Sequence, residues 1–373
     1  MKTVAILAAL AVATEARFED VQAYETFEAS TCITASTTKA GAAYADALTL
    51  TVPFHGEDLT LDLTVDRTLF HDDWQLVNDN GDVLSDDKEA FMCHYTGTVA
   101  GKKGSRVTIS VCDDAGINGL IETEEFDAEI QPVDPDTRRV DNLGSHIIYD
   151  VQDLVLPDDI SHGEAVHEFG EFADTNEVMN STDVGVNRAY VMNLITASDS
   201  QRMRACSSSG AEASNTQSVI AQMNNRYTST SWGSGNSLRI VNKRQVQNAN
   251  MGRPTSNLSN YLPQVATYKG NNHRSEDNVQ GFTSYNSGGT IGVAYMSTMC
   301  QTNRSCGINN VGFTSSTSTR GILVAHEAGH NFAMNHDNNN NPSVMSSSIN
   351  SNAQRFSSPS VNDFIRTSPK GCL

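Results

Sequence analysis

The sequence predicts an α/β domain from about residue 185 onward, preceded by a β-rich acidic domain over residues 17–184. Charge is the first observation behind this division. Residues 1–184 carry 37 acids and 10 bases, a balance of −27, whereas residues 185–373 carry 7 acids and 15 bases, a balance of +8. Such asymmetry within one chain indicates two domains. Hydrophobic periodicity is the second observation, because it is strand-like in the first half and alternates between strand and helix in the second.

The first residues have the pattern of an exported protein. A lysine at position 2 precedes an apolar run, and small residues follow at Ala13 and Ala16. This pattern predicts a signal peptide over residues 1–16. No later apolar run approaches the roughly 18 residues that a membrane span needs. We therefore expect a secreted, extracellular protein without a membrane span, in an oxidising compartment that suits its seven cysteines.

Two stretches of the first half predict β-hairpins. Apolar residues alternate with polar ones through LTLTVPFHGEDLTLDLTVD at 48–66, which indicates strands with one buried face. In FMCHYTGTVAGKKGSRVTISVC, at 91–112, the turn falls at Gly101–Gly104. A hairpin symmetric about this turn places Cys93 directly opposite Cys112, close enough for a disulfide bond.

The second half begins after a predicted linker at about 150–184, which is acidic and poor in bulky apolar residues. Residues 189–196 (AYVMNLIT) and 237–242 (SLRIVN) are predicted strands, and the apolar spacing within 211–227 predicts a helix between them. This half carries no cluster of lysines and arginines, and the first half is acidic. Nucleic acid is therefore not an expected partner of either half.

The segment HEAGHNFAMNHD at 326–337 carries the chemistry. His326 and His330 are four apart, so on a helix both imidazoles point to one side. The helix is predicted to be buried because Ile322–Val324 are apolar, and hydroxyls at 315–319 are its candidate N-caps. His336 reaches the same point only if the chain turns after about Ala333. Three imidazoles and an open position are typical of a catalytic zinc, and Glu327 is the predicted general base.

These residues resemble the long zinc signature of the metzincin metalloproteases, and Asp337 after the third histidine is similar to the adamalysin/reprolysin family within that clan. The segment Ser343–Ser346 resembles the Met-turn, in which Met345 would form the floor beneath the imidazoles. DNVQGFTSYNSGGTIGVAYMSTMC at 277–300 resembles the family's edge-strand region, and RFSS at 355–358 resembles its C-terminal end. In the first half, MCHYTGTVAG and SHIIYDVQDL are similar to segments of the family's propeptide.

The resemblance implies a catalytic domain over residues 185–373. Its fold would be a mixed, mostly parallel twisted sheet with an antiparallel edge strand, a long active-site helix and a small C-terminal subdomain. The edge strand, Gly292, Val293, Ala294 and Tyr295, would bind substrate backbone as an added antiparallel strand. Asp337 would be a structural anchor.

The resemblance also bears on the cysteines and on a second ion. It favours a Cys300–Cys372 bridge and leaves Cys206–Cys306 as the remaining pair, with Cys32 the odd cysteine. Calcium is a candidate second ion, but its site in the family is incomplete here. Asp277 matches, whereas the early glutamate does not occur in AYVMNLIT.

Two positions depart from the family pattern. The family has glycine where this chain has Ala333, and an alanine with positive φ there costs about 1–2 kcal/mol. Family propeptides commonly offer a cysteine to the zinc, but no cysteine occurs between residues 113 and 205. In place of a thiol, one interpretation is that the acidic propeptide inhibits by steric or electrostatic masking of the more basic catalytic domain. An acidic domain that only aids solubility is the alternative.

The sequence thus predicts a secreted zinc metalloendopeptidase, made as a zymogen and monomeric, that hydrolyses peptide bonds of extracellular proteins. A catalytically silent, zinc-bound adhesion or decoy module is the alternative. Inactive relatives usually lose the glutamate that stands here as Glu327, which favours the enzyme.

Overall fold

The computed structural model of the chain describes residues 20–37, 43–113, 116–141, 143–157, 160–162, 187–233, 235–255, 257–285, 289–337 and 342–373. The predicted signal peptide at 1–16 and most of the predicted linker at 150–184 lie outside these residues. Across the described ranges, no helix is both long enough and apolar enough to cross a bilayer.

The first half is dominated by strands, as its period-two patterning predicts. Its elements are β1 Glu25–Phe27, α1 Ala29–Cys32, β2 Ile33–Thr37, β3 Ala47–Phe54, β4 Glu57–Val65, β5 Phe70–Asn78, β6 Val83–Ser85, β7 His94–Val99, β8 Arg106–Cys112, β9 Gly116–Glu122, β10 Asp127–Pro132, α2 Pro135–Asp141, β11 His146–Asp150 and β12 Ser161–His162. Nine of these strands form one antiparallel sheet in the order β1-β11-β10-β9-β8-β7-β4-β3-β2. Burial alternates strictly along β3, so one face of the strand is packed.

The hairpin of β7 and β8 contains the predicted Cys93–Cys112 disulfide, with the two Cα atoms 5.1 Å apart. The predicted register is wrong by one residue, however. His94 pairs with Ser110, and the carbonyl of Cys93 accepts a hydrogen bond from the amide of Val111, not Cys112. The hydroxyl of Ser105 accepts from the Val99 amide at 2.9 Å, which closes the turn asymmetrically. Cys112 therefore reaches its partner diagonally.

The second half alternates strands and helices, as its apolar pattern predicts. Its elements are β13 Ala189–Ser198, α3 Ser200–Ala205, α4 Ser209–Ser229, β14 Ser237–Gln247, α5 Leu258–Asn272, β15 Asn278–Thr283, β16 Thr290–Ala294, β17 Cys306–Asn310, α6 Thr317–Asn331 and α7 Ser358–Thr367. Strands β14, β13, β15 and β17 pair in parallel, and β16 adds to β17 in the antiparallel sense. The sheet is therefore mixed and mostly parallel.

This second sheet does not end at the strands of its own half. Its order is β12-β16-β17-β15-β13-β14-β5-β6, so strands from the predicted propeptide region lie at both edges. β5 pairs in parallel with β14, and β12 pairs in parallel with β16. The predicted division into two domains does not anticipate this exchange of strands.

The two halves also share one hydrophobic core. A single buried cluster contains Leu50 and Ile109 of the first sheet together with Met223 of α4, Val324 of α6 and Met345. Helices α4 and α6 thus lie between the two sheets, and the apolar surface of each half is buried by the other. This packing fixes the position of α6, which carries the histidines.

Candidate metal centre

Helix α6 is buried along its whole length and starts at a side-chain cap. The hydroxyl of Ser316 accepts a hydrogen bond from the amide of Thr319 at 3.0 Å, so the N-cap lies within the predicted hydroxyl run. Ile322, Leu323 and Val324 are at most 1% exposed. Because apolar residues surround this turn, the helix is a core helix and not a surface one.

The helix ends in a turn that requires a left-handed residue. Helix α6 stops at Asn331, and Ala333 has a φ of 67°. The amide of Ala333 bonds to the carbonyl of His330 at 2.9 Å, and the amide of Met334 bonds to that of Gly329 at 3.0 Å. This pattern is a Schellman motif, whose left-handed position usually holds glycine. The expected turn with positive φ at Ala333 is confirmed.

The turn brings the three predicted histidines together. Nε2 of His336 lies 3.1 Å from Nε2 of His326 and 3.1 Å from Nε2 of His330. Nδ1 of His326 lies 2.7 Å from the carbonyl oxygen of Val344, and Nδ1 of His330 lies 2.9 Å from that of Met334. Since a carbonyl oxygen only accepts hydrogen bonds, both Nδ1 atoms carry the proton. The Nε2 lone pairs of both rings therefore point at one spot.

This donor set fits a zinc ion. Three ligands at a zinc–nitrogen distance of about 2.0–2.1 Å in tetrahedral geometry place their nitrogens about 3.3 Å apart, close to the 3.1 Å seen here. Lone pairs at this distance repel unless a cation lies between them. The other cluster of metal-type side chains within the described ranges is Cys93, His94 and Cys112, whose two cysteines form a disulfide bond. His336 is exposed whereas the other two rings are buried, so the centre opens on the side of the third ligand.

Glu327 lies on α6 next to the first histidine and directly beneath strand β16. A Cβ atom placed on Gly292 of that strand would collide with Oε1 of Glu327, so a larger residue at this position would displace the carboxyl group. Glu327 is fully buried, and burial raises the pKa of its carboxyl well above the usual range. A cation bound by the neighbouring histidines would oppose this effect, because a nearby positive charge favours the ionised carboxylate that a general base requires.

Beneath the imidazoles, Met345 is fully buried against the helix. A Cβ atom on Gly329 would come 2.5 Å from Sδ of Met345, so the sulfur packs on the turn between the two helical ligands. Val344, which precedes it, supplies the carbonyl that orients His326. This placement agrees with the proposed role of Met345 as a floor.

Asp337 ties the third ligand to the C-terminal helix. Its carboxylate accepts hydrogen bonds from the hydroxyls of Ser343, of Ser357 at 2.7 Å and of Ser360 at 3.2 Å. Ser357 is also the N-cap of α7. Since three serines occupy the carboxylate, its geometry supports the anchoring role that the resemblance implies.

The predicted edge strand exists, but it is covered. Gly292, Val293 and Ala294 belong to β16, and Tyr295 follows it. The edge of β16 that does not pair with β17 pairs with β12, with Ser161 opposite Thr290 and His162 opposite Gly292. Sequence reasoning also missed Asn331, whose buried amide donates to the carbonyls of Tyr295 at 2.8 Å and Cys306 at 3.0 Å. The only hint of Asn331 in the sequence was its position directly after the HEAGH motif.

Of the other two predicted disulfides, one is present. Cys300 and Cys372 are bonded, with their Cα atoms 5.6 Å apart. The Cys206–Cys306 pair is wrong. Cys306 begins β17 and lies level with Val279 and Ile195 of the parallel strands, where it is completely buried. Cys206 follows α3, which starts only after β13 has ended.

The candidate calcium ligand Asp277 is used by the protein itself. Its Oδ2 accepts from the backbone amide of Asn193 at 2.8 Å and from the side-chain amide of Asn193 at 3.0 Å. Asp277 does not belong to either cluster of metal-type side chains within the described ranges. The structure therefore gives no support to a calcium site.

A reprolysin model described as metallo-peptidase family M12 matches residues 188–368. This stretch contains the three histidines, Glu327 and the Met345 turn. Residues 188–368 are a reprolysin-type metallopeptidase domain of family M12. The three histidines and Glu327 that the sequence predicts as the metal site therefore lie within the matched domain.

Two curated relatives extend the similarity into the first half. The chain is 24% identical over 349 residues to human "Disintegrin and metalloproteinase domain-containing protein 9", which covers 86% of this chain and 40% of the relative. It is 22% identical over 318 residues to a "Zinc metalloproteinase-disintegrin-like" protein of Cerberus rynchops, which covers 80% of this chain and 49% of the relative. The chain thus spans less than half the length of these relatives.

A solved structure has a fold similar to that of most of this chain. Metalloproteinase-II from Bacteroides fragilis superposes with a TM-score of 0.51 over 88% of this chain and 91% of its own, at 10% identity. At this identity the likeness concerns the fold alone. Its coverage extends beyond the M12 domain into the strands of the first half.

Proposed function

We propose that the chain is a secreted zinc-dependent endopeptidase that hydrolyses extracellular proteins and is made as a zymogen. Residues 1–16 are the signal peptide, residues 17–184 the propeptide and residues 185–373 the catalytic domain, in a monomer. The convergence of the Nε2 atoms of His326, His330 and His336 beside Glu327 carries this proposal.

His326, His330 and His336 hold the ion in this proposal, and hydrogen bonds to Val344 and Met334 keep two of the rings in place. A zinc ion bound this way supplies a Lewis acid that polarises the scissile carbonyl and makes water nucleophilic near neutral pH. Glu327 takes a proton from the attacking water and passes it to the leaving amine. Strand β16 positions the substrate by backbone hydrogen bonds, and these give affinity with little sequence selectivity.

The proposed latency rests on the occupant of β16. Strand β12 pairs with the edge that a substrate would use, and it does so in the parallel sense. A substrate that pairs antiparallel with β16 would run in the opposite direction. Strand β12 thus occupies the edge of β16 that a substrate would need, while its own peptide bonds run in the opposite direction to those of an antiparallel substrate. Both properties support inhibition by masking, without a cysteine ligand to the zinc.

The test is cleavage of casein by the matured protein, with and without a chelator, alongside Glu327→Ala. We expect the chelator to abolish cleavage and Glu327→Ala to lower the rate by about 10²–10⁴-fold, the usual contribution of a general base. Zinc content measured by atomic absorption should be unchanged in this variant. The matched control is Glu276→Ala, which removes a carboxylate ion-paired with Lys243 and should leave the rate intact.

Persistent cleavage by Glu327→Ala protein would refute the proposed mechanism. Wild-type protein that binds zinc yet cleaves neither casein nor gelatin would favour the adhesion or decoy module instead.

A further inference from the structure

The two halves meet at a buried carboxylate that lies at the start of the active-site helix. Glu129 of β10 is completely buried, although its strand belongs to the first sheet. Its Oε1 accepts a hydrogen bond from the amide of Ser318 at 3.0 Å, and its Oε2 accepts from the hydroxyl of Ser316 at 2.5 Å. Ser316 is the N-cap of α6. The first half therefore places a carboxylate on the first turn of the helix that carries His326 and Glu327.

The second half contributes a buried cation beside this point. Arg226 of α4 is fully buried and donates from Nη2 to the hydroxyl of Ser318 at 2.6 Å. Burial lowers the pKa of its guanidinium to about 10. Within the described ranges its Nε makes no hydrogen bond. The acids that act on it, Glu122, Glu129 and Asp127, all come from the first half.

These groups match the chemistry of carboxylate recognition. Helix N-termini attract anions because their first amides have no partner within the helix and the helix dipole is positive there. A buried guanidinium adds a full positive charge in a medium of low dielectric constant. The signs of these groups agree with the acidic first half and the more basic second half.

We propose that Ser316, the amide of Ser318 and Arg226 form a carboxylate-binding site on the catalytic half, which Glu129 fills in the intact chain. Once the first half has been removed, the same site is open to small carboxylates or to a carboxylate of another protein. This proposal rests on the zymogen organisation proposed above. It gives β10 a specific contact with the catalytic half, in addition to the pairing of β5 with β14 and of β12 with β16.

The experiment is chemical rescue in the full chain, with Glu327→Ala as the background so that no self-cleavage interferes. Glu129→Ala should speed hydrogen exchange at the amides of Ser318 and Thr319 by about tenfold, since a hydrogen bond to a charged group is lost. Acetate or formate should restore slow exchange, whereas sodium chloride at equal ionic strength should not. Ser316→Ala combined with Glu129→Ala should abolish the rescue.

Two further variants make the outcome decisive. Glu57→Ala removes an exposed carboxylate of the same sheet and should leave exchange in α6 unchanged. Glu129→Gln keeps the volume and one acceptor oxygen, so it serves if the alanine variant does not fold, and it should give a smaller increase. Unchanged exchange at Ser318 in folded Glu129 variants, or rescue by chloride equal to that by acetate, would overturn the proposal. Neither readout depends on proteolysis, so this failure is distinct from a failure of the proposed protease activity.

Discussion

Within the eight-stranded sheet, β14 and β16 are the outer strands of the second half, and the first half covers both of these edges, but to very different extents. At one edge β5 pairs with β14 from Phe70 to Asn78, and Trp74 is buried there with its Nε1 donating to Asn242 at 3.1 Å. At the other edge β12 pairs with β16 over two residues. Three strands lie between β14 and β16, so the edges are about 19 Å apart. Along this sheet, the first half therefore pairs extensively at the edge far from β16 and only briefly at β16 itself.

This difference suggests that the pairing at β14 and the pairing at β16 have separate roles. Long pairing and a buried indole give stability. In the proposed zymogen, a pairing of only two residues would cover β16 and yet cost little free energy to break. The predictions that follow test each edge in turn.

The largest effect is expected from Trp74→Ala at the β14 edge. The substitution leaves a cavity next to Phe70 and Phe91 and deprives Asn242 of its indole donor. We expect the free energy of unfolding of the full chain to fall by about 3–5 kcal/mol, measured by urea denaturation followed by circular dichroism. Trp74→Phe should recover most of this loss. An effect of Trp74→Ala below about 1 kcal/mol would mean that β5 is not an anchor.

Gly292→Ala should act on catalysis at the β16 edge. Its added methyl group would collide with Glu327 and with Cδ1 of Leu323, at 2.3 and 2.7 Å. Displacement of the carboxyl group by about 1 Å should lower kcat/KM of the matured protein by about 100-fold. Gly371→Ala is the control, because a Cβ atom there meets nothing within 4 Å. Full activity of the Gly292→Ala protein would show that Glu327 does not need its observed position.

Ser161→Pro should weaken only the short pairing at the cleft edge. Proline removes a backbone N–H and fixes φ, both of which disfavour strand pairing, and we expect a loss of about 1 kcal/mol, the usual contribution of one hydrogen bond. Cleavage of a small peptide by the uncleaved chain should rise by about fivefold, while the urea midpoint stays close to that of the wild type. Ser161→Ala keeps the donor and should have no effect. A fall in stability as large as that of Trp74→Ala would erase the contrast between the edges.

The smallest effect is expected from Ala333→Gly, which touches neither edge and gives a reference for the catalytic half. Glycine relieves the strain of a φ of 67°, and the greater freedom of the unfolded chain offsets part of the gain. The net stabilisation should be about 0.5–1 kcal/mol, seen as a higher melting temperature in calorimetry. A destabilised Ala333→Gly protein would contradict this account of the turn.

What the sequence could predict depended on how local the information is. His326 and His330 were found because their spacing is read along a single helix, and Cys93 and Cys112 because they flank one turn. Strand β5 was not assigned to the second sheet, because Gln75 contacts Arg244 at a separation of 169 residues and no local pattern encodes that register.

Two other sites show the same limit. The polar face of β10 that bears Glu129 has the alternation of any solvent-exposed strand face, so nothing in the pattern distinguishes solvent from a second domain. The Cys206–Cys306 pair was chosen only as the remainder after Cys300–Cys372. The structure contradicts it because the two cysteines lie at different levels along the parallel strands.

The exchange of β5 also has a consequence for biosynthesis. A ribosome adds about 5–20 residues per second, so Gln75 is made roughly 10 to 30 s before Arg244, its contact 169 residues later, is available. Until then β5 can pair only with the short strand β6, so its other edge stays unpaired, and an unpaired strand edge is prone to aggregate. The nascent chain therefore depends on its own late-made half, or on a chaperone, to shield Trp74 until synthesis is complete.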